Sequence, residues 1–183
     1  MTPIKTGLYS FLTGLLLLAS SVVFAKAVPE RADIDAQFKW DLTDMYADAA
    51  GWDADRERFL EALPTLSAHR GKLGESGVTL LQAIESIQTV ESIIANLYVY
   101  AGLKSYEDTR ISDNAARFSE AQGMYSQYQQ ALSYFTPELL AIPEETLTQF
   151  IERTPRLEVY THYLDETARM RPYTLSEAEE RLL

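Results

Sequence analysis

The sequence predicts an all-α protein, an irregular helical bundle built on a long antiparallel helical hairpin. Three observations predict it. Apolar residues over positions 79–135 recur at steps of three and four in two successive blocks, which is the period of one buried helix face. Outside the first 27 residues no run alternates apolar with polar residues, and no Asn-Gly or Asp-Gly hairpin turn occurs, so strand signals are missing. Beyond Phe135 the chain is punctuated by Thr136-Pro137 and Thr154-Pro155, each a capping residue ahead of a proline that starts a short helix, and by Ile142-Pro143, a weaker version of the same signal. No repeat recurs at a period of 30 to 45 residues, so a solenoid is disfavoured against a bundle.

Residues 1–27 have the make-up of a cleavable secretory signal: a cation at Lys5, a charge-free stretch over 6–25 centred on Leu15-Leu16-Leu17-Leu18, then small residues. Ala25-Lys26-Ala27 and Val23-Phe24-Ala25 are alternative cleavage sites, and an exported protein is expected. The competing reading is an uncleaved membrane anchor, for which the 20 uncharged residues are just long enough. If the signal is cleaved, no stable membrane insertion remains. No cysteine follows, which excludes a lipid-modified cysteine along with disulfides, thiolate nucleophiles and cysteine zinc sites. The whole chain of 183 residues carries a net charge of −11, and phosphate-rich partners repel such a surface, so nucleic acid is not expected as a partner.

Residues 28–39 read as a polar lead-in. Trp40, Leu42, Met45 and Tyr46 suit a short turn of helix pressed on a domain. A helix is expected over 52–70, with Asp53 and Asp55 in its first turn and His69 in its last, matching the helix dipole at both ends. Pro64 is expected to kink it, and Gly71 to end it in the left-handed conformation. In the central hairpin, Leu80, Ile84, Ile87, Val90, Ile94, Leu97 and Ala101 form the first stripe. A helix of this length would run on the order of 45 Å. Ser112 or Asp113 caps the second helix, whose stripe is Phe118, Ala121, Tyr125, Tyr128, Leu132 and Phe135. From Pro155 the stripe Leu157, Tyr160, Leu164 and Ala168 predicts a helix to about Met170, stopped by Pro172. Ser176-Glu177-Ala178-Glu179 is a capping box for one more helix. That helix has about two turns before Leu183, so the chain is expected to be the front part of a longer protein.

Catalytic motifs are missing: there is no glycine-rich phosphate loop, no Gly-x-Ser-x-Gly and no His-Glu-x-x-His. His162, Asp165 and Glu166 stand at i, i+3 and i+4, a spacing open to a metal site or to a solvated face with local ion pairing. No residue is assigned a catalytic, cofactor-binding or metal-binding role. Tyr98, Tyr100, Tyr106, Tyr125, Tyr128 and Tyr134 are more numerous than a plain core requires. Tyrosines join an apolar ring to a polar tip, so they either line a wet groove that grips peptide or form the half-buried rim of the hairpin.

Trp40-Asp41-Leu42-Thr43-Asp44-Met45-Tyr46 with Trp52 and Asp55, Gly71-Lys72-Leu73, Leu97-Tyr98-Val99-Tyr100-Ala101, Asp108-Thr109 and Phe135-Thr136-Pro137-Glu138-Leu139 together resemble the front of oligoendopeptidase F. The closing Arg171-Pro172-Tyr173-Thr174-Leu175-Ser176 with Glu179-Glu180-Arg181-Leu182-Leu183 is similar to that family's Leu-Ser-x-x-Glu-Glu stretch, with Tyr173 where a histidine is expected. The resemblance implies a mostly helical zinc metallopeptidase, related to thimet oligopeptidase, that hydrolyses short peptides in a deep channel. It further implies that residues 40–172 are its N-terminal helical domain, covering the channel, and that 173–183 begin the next helical region. The zinc and its His-Glu-x-x-His helix would lie downstream in a catalytic domain that is missing here. This chain alone would then bind no zinc and be inactive. The rival reading is a stand-alone exported helical module that binds peptides or a protein without catalysis.

Overall fold

The computed structural model describes residues 29–174, which contain helices and turns and no strand. The all-α expectation holds. The signal-like residues and the capping box at Ser176 lie outside the described residues. The chain divides into two units, one ending at Lys39 and the other beginning at Trp40. The described part of the first holds two single 3-10 turns, Arg31–Asp33 and Ala36–Phe38, neither with a buried residue.

In the second unit, residues 42–46 form the expected short helical turn, the Met45 and Tyr46 amides both donating to the Leu42 carbonyl at 3.1 Å. The Asp41 carboxylate accepts from the Thr43 amide at 3.0 Å and the Thr43 hydroxyl at 2.6 Å, a local bond that caps the start of that turn. Leu42 and Tyr46 are buried, but Trp40 is 54% exposed, so it is no anchor. Helix α1 (Ala49–Ser67) starts earlier than expected because Asp48 caps it, accepting from the Gly51 amide. Asp53 and Asp55 therefore fall beyond its first turn. It also stops at Ser67, leaving His69 in the turn that follows, so the expected dipole matching at both ends is not found. The helix runs through Pro64. Gly71 takes a φ of 78°, as expected of the residue that reverses the chain there.

Helix α2 (Gly77–Glu107) is the 31-residue spine, capped by Ser76, whose hydroxyl accepts from the Thr79 amide. Six members of its predicted stripe are buried, and Ile87 is half-buried. Leu81, Ala83, Ile93 and Tyr100 are buried too, because α2 is covered on more than one side. Helix α3 (Ser112–Leu132) returns antiparallel, its cap at Ile111 making no side-chain bond. Ser112 thus lies inside the helix it was expected to cap. Its buried line is Ala121, Met124 and Tyr128, with Tyr125 42% exposed. The expected stripe held Tyr125 and lacked Met124.

Past Leu132 the pieces shorten: α4 (Phe135–Ala141), α5 (Glu144–Arg153), a 3-10 segment Pro155–Tyr160, and α6 (Thr161–Ala168). Pro137 sits third in α4 instead of first, and Pro143 is itself the cap of α5. The helix expected from Pro155 begins as 3-10 and becomes α only at Thr161, yet Leu157 and Leu164 are fully buried as its stripe requires. Two apolar cores result. One joins α1, the later half of α2 and α3 around Trp52, Phe59, Leu97 and Met124. The other joins the earlier half of α2 to α4, α5 and α6 around Leu80, Leu139, Leu157 and Leu164. Ile87 packs against both.

Candidate functional site

The six tyrosines fall into two groups by their contacts. Tyr100 faces Tyr46, ring centroids 5.1 Å apart and nearly perpendicular, and the Tyr46 hydroxyl donates to Asp55 at 2.9 Å. Tyr134 is buried, its hydroxyl donating to the Leu66 carbonyl at 2.6 Å beneath the Arg70 guanidinium. Both are structural. The other four form a connected file of rings with Phe118 along the α2–α3 seam: Tyr106 on Phe118, Phe118 on Tyr98, Tyr98 on Tyr125, Tyr125 beside Tyr128, at centroid separations of 5.4 to 6.1 Å. Edge-on and tilted ring pairs at these spacings are favourable. The file along the seam is the rim of the hairpin that one of the two readings expects.

The file ends in a groove. Between α2, α3, the start of α4 and the Tyr160 turn lies an open cavity of about 440 Å³, within the usual range of small-ligand sites. Ile84, Ile87, Leu132 and Phe135 form its apolar floor. Its polar rim is set by hydrogen bonds: the Tyr160 hydroxyl donates to Gln88 Oε1 at 2.7 Å, and the Gln129 amide donates to the Tyr125 hydroxyl at 2.7 Å. Burial raises the pKa of Tyr128 and, with it, the negative charge of Glu91 acts in the same direction. Burial and Glu91 likewise raise Tyr163. Both phenols stay neutral at physiological pH.

Tyr160, Tyr163, Glu91, Gln88 and Gln129 went unmarked as site residues in the sequence. Tyr160 and Tyr163 follow Tyr128 by more than 30 positions, and only the packing of the Pro155–Tyr160 segment against the spine, with α6 following it, brings them beside it. A tyrosine pair at i and i+3 on a short helix was the one available signal.

The histidines do not form a centre. His69 Nε2 lies 3.3 Å from the Ser86 hydroxyl. His162 is exposed, and Glu166 pairs with Arg169 at 2.6 Å, the local ion pairing of a solvated face. Among the described residues no three His, Cys, Asp or Glu side chains are grouped to hold a metal. With only two histidines, standing apart, the donor set does not fit the catalytic zinc of a peptidase. A second open cavity of about 820 Å³, between α5, α6 and the turn at Arg171–Tyr173, gathers no such group. Arg171 closes its base, donating to the carbonyls of Leu140 and Ile142.

Three comparisons place this architecture among known proteins. A family profile described as "Oligopeptidase F" (Peptidase_M3_N) matches residues 138–183. Oligopeptidase PepF of Bacillus subtilis is 34% identical over 159 residues, covering 87% of this chain and 24% of PepF. Group B oligopeptidase PepB of Streptococcus agalactiae is 28% identical over 153 residues, covering 84% of this chain and 26% of PepB. Among solved structures, oligoendopeptidase-F from Enterococcus faecium superposes with a TM-score of 0.64 at 33% identity, over 72% of this chain and 25% of that one. A putative peptidase from Chlamydophila abortus gives a TM-score of 0.74 at 25% identity, over 85% and 26%. The chain spans about a quarter of the length of the relatives it matches.

Proposed function

We propose that this chain, which resembles oligoendopeptidase F over that family's N-terminal region, is the substrate-access portion of an exported zinc metallo-oligopeptidase. In this reading it covers a channel and admits short, unfolded peptides, while a separate catalytic domain carries the metal. The zinc would polarise the scissile carbonyl and activate water there; nothing in the present residues takes part in that step. Their part is to bind and orient. A wall of tyrosine hydroxyls and glutamine amides over an apolar floor suits extended peptide, whose side chains are apolar or polar by turns and whose main chain needs donors and acceptors.

The observation that carries the reading is the match to PepF along 87% of this chain and only 24% of PepF, with the fold matched in parallel. The export rests on the signal-like residues 1–27 alone. The test is to read the encoding gene past the codon for Leu183 and to assay the product. An open frame encoding His-Glu-x-x-His, with chelator-sensitive hydrolysis of short peptides that the 183-residue chain lacks, is expected. A stop codon at that point would overturn the reading in favour of the stand-alone binding module. Mass spectrometry of the exported product should show loss of residues 1–25 or 1–27; an intact N-terminus would overturn the cleaved signal.

A further inference from the structure

The groove holds a charge that nothing in the fold uses. Glu91 lies on the exposed side of α2 and lines the cavity. Ion pairs elsewhere engage Glu57, Glu85, Glu107, Glu120 and Glu166, but among the described residues no cation pairs with Glu91. Around it stand Tyr125, Tyr128, Tyr160 and Tyr163. Tyr125 and Tyr163 are 42% and 47% exposed, so their rings are open to a ligand. Ring faces are electron-rich and attract cations, and a carboxylate among them adds the full charge. An acidic ligand group would be repelled by Glu91. A purely apolar one would leave the carboxylate partly desolvated with no partner.

We infer that this groove binds the cationic side chain of a peptide, Glu91 supplying the countercharge and the tyrosine rings the cage. The neighbouring amides complete the site. Gln88 has its oxygen engaged by Tyr160, and Gln129 has its nitrogen engaged by Tyr125. The Gln88 nitrogen and the Gln129 oxygen remain to meet the peptide's main-chain carbonyl and amide. The raised pKa values of Tyr128 and Tyr163 fit the same assignment, since neutral phenols leave Glu91 as the single charge in the groove. The net charge of −11 would draw basic peptides toward the surface before they dock.

This inference rests on the reading of the chain as a peptide-handling region, and one experiment separates the two. Nα-acetylated, C-amidated pentapeptides carrying arginine or its neutral isostere citrulline at the third position are titrated calorimetrically into the purified chain and into Glu91→Gln. The arginine peptide is expected to bind about five- to tenfold more tightly. In Glu91→Gln that preference should fall to about twofold or less while the citrulline peptide's affinity is unchanged. Because Glu91 is exposed, the variant leaves both cores intact. Equal affinities for the two peptides, or a preference that survives Glu91→Gln, overturns the cationic assignment and leaves peptide handling standing. Binding of neither peptide overturns both.

Discussion

The two cores that share α2 are built from the same apolar chemistry but from different local structure. The hairpin core uses three helices of 19, 31 and 21 residues, with Tyr46, Trp52, Phe59, Tyr100 and Tyr128 supplying ring surface. The C-terminal core is mostly aliphatic and assembled from pieces of six to ten residues. Helices that short are marginal in isolation, so they depend on specific tertiary ties. Those ties are visible: Tyr134 to the Leu66 carbonyl, Gly71 to Glu138, and Arg171 to the carbonyls at the end of α4. The difference implies a hierarchy in which the hairpin core stands first and the C-terminal pieces fold onto it.

The sharpest way to break that hierarchy is a pair of cavity substitutions. Trp52 is 1% exposed, and its indole N–H donates to the Leu97 carbonyl at 3.0 Å across 45 residues. Trp52→Ala should cost about 3–5 kcal/mol. Leu157, fully buried in the other core, should cost about 2–5 kcal/mol on replacement by alanine. The telling readout is hydrogen exchange. Leu157→Ala should lower protection in α4, α5 and α6 while sparing α1, whereas Trp52→Ala should lower it throughout. Uniform loss in both variants would mean one cooperative unit and no hierarchy.

The same contrast explains what could be read in advance. The spine and its stripe were legible because a 31-residue amphipathic helix repeats its signal many times. The burial of Met124 in place of Tyr125 and the 3-10 start at Pro155 were not, because tertiary contact decides them, whereas the cap at Asp48 is a local bond to the Gly51 amide that its sequence position allowed. One residue of helical phase, about 100°, chooses between Met124 and Tyr125, and only the position of α2 makes the choice. The groove was half legible. Tyr125 and Tyr128 stood out, but Glu91 looked like any polar residue on the exposed side, and Tyr160 with Tyr163 needed the fold to bring them near.

A smaller effect is expected where the two halves of the second core touch most closely. Gly77 opens α2 against the end of α5. A β-carbon there would lie 2.9 Å from the Phe150 carbonyl oxygen, 3.2 Å from its Cα, and against the Thr154 hydroxyl. Gly→Ala in a helix ordinarily gains about 0.5–1 kcal/mol. Here the neighbour is backbone and cannot rotate aside, so Gly77→Ala should destabilise by about 1–3 kcal/mol, read as a lower denaturation midpoint. A gain would show that α5 shifts freely and that the second core is loosely docked.

Alkaline pH tests the cores through their buried phenols. The folded pKa values of Tyr46, Tyr128 and Tyr134 are raised above 10.0, burial being the first cause in each. A raised folded pKa means the folded state keeps its proton after the unfolded chain has released it. The contribution is therefore complete below about pH 10 and is lost as pH climbs beyond it. Tyr46 and Tyr128 belong to the hairpin core and Tyr134 to the other. Thermal midpoints should fall steadily above pH 10, and Tyr128→Phe should flatten the fall more than a substitution of exposed Tyr173. No difference between those two variants would locate the alkaline sensitivity outside the cores.

The smallest expected effects compare the ion pairs that cross each core's surface. Arg56 of α1 meets Glu120 of α3 at 3.0 Å, their side chains 32% and 45% exposed. Arg156 of the 3-10 segment meets Glu85 of α2, with the arginine 74% exposed. Exposed pairs are worth about 0.2–1 kcal/mol because water screens the attraction and ordering two long side chains offsets it. Glu120→Gln should sit nearer the top of that range and Glu85→Gln nearer the bottom, since Arg56 is held in a drier place. Raising salt to roughly 0.5 M should erase both differences. An effect of Glu85→Gln larger than that of Glu120→Gln, and lost on adding salt, would mean that the C-terminal pieces are fastened to the spine by charge. Their buried leucines would then matter less than the packing implies, and the hierarchy of the two cores would reverse at that seam.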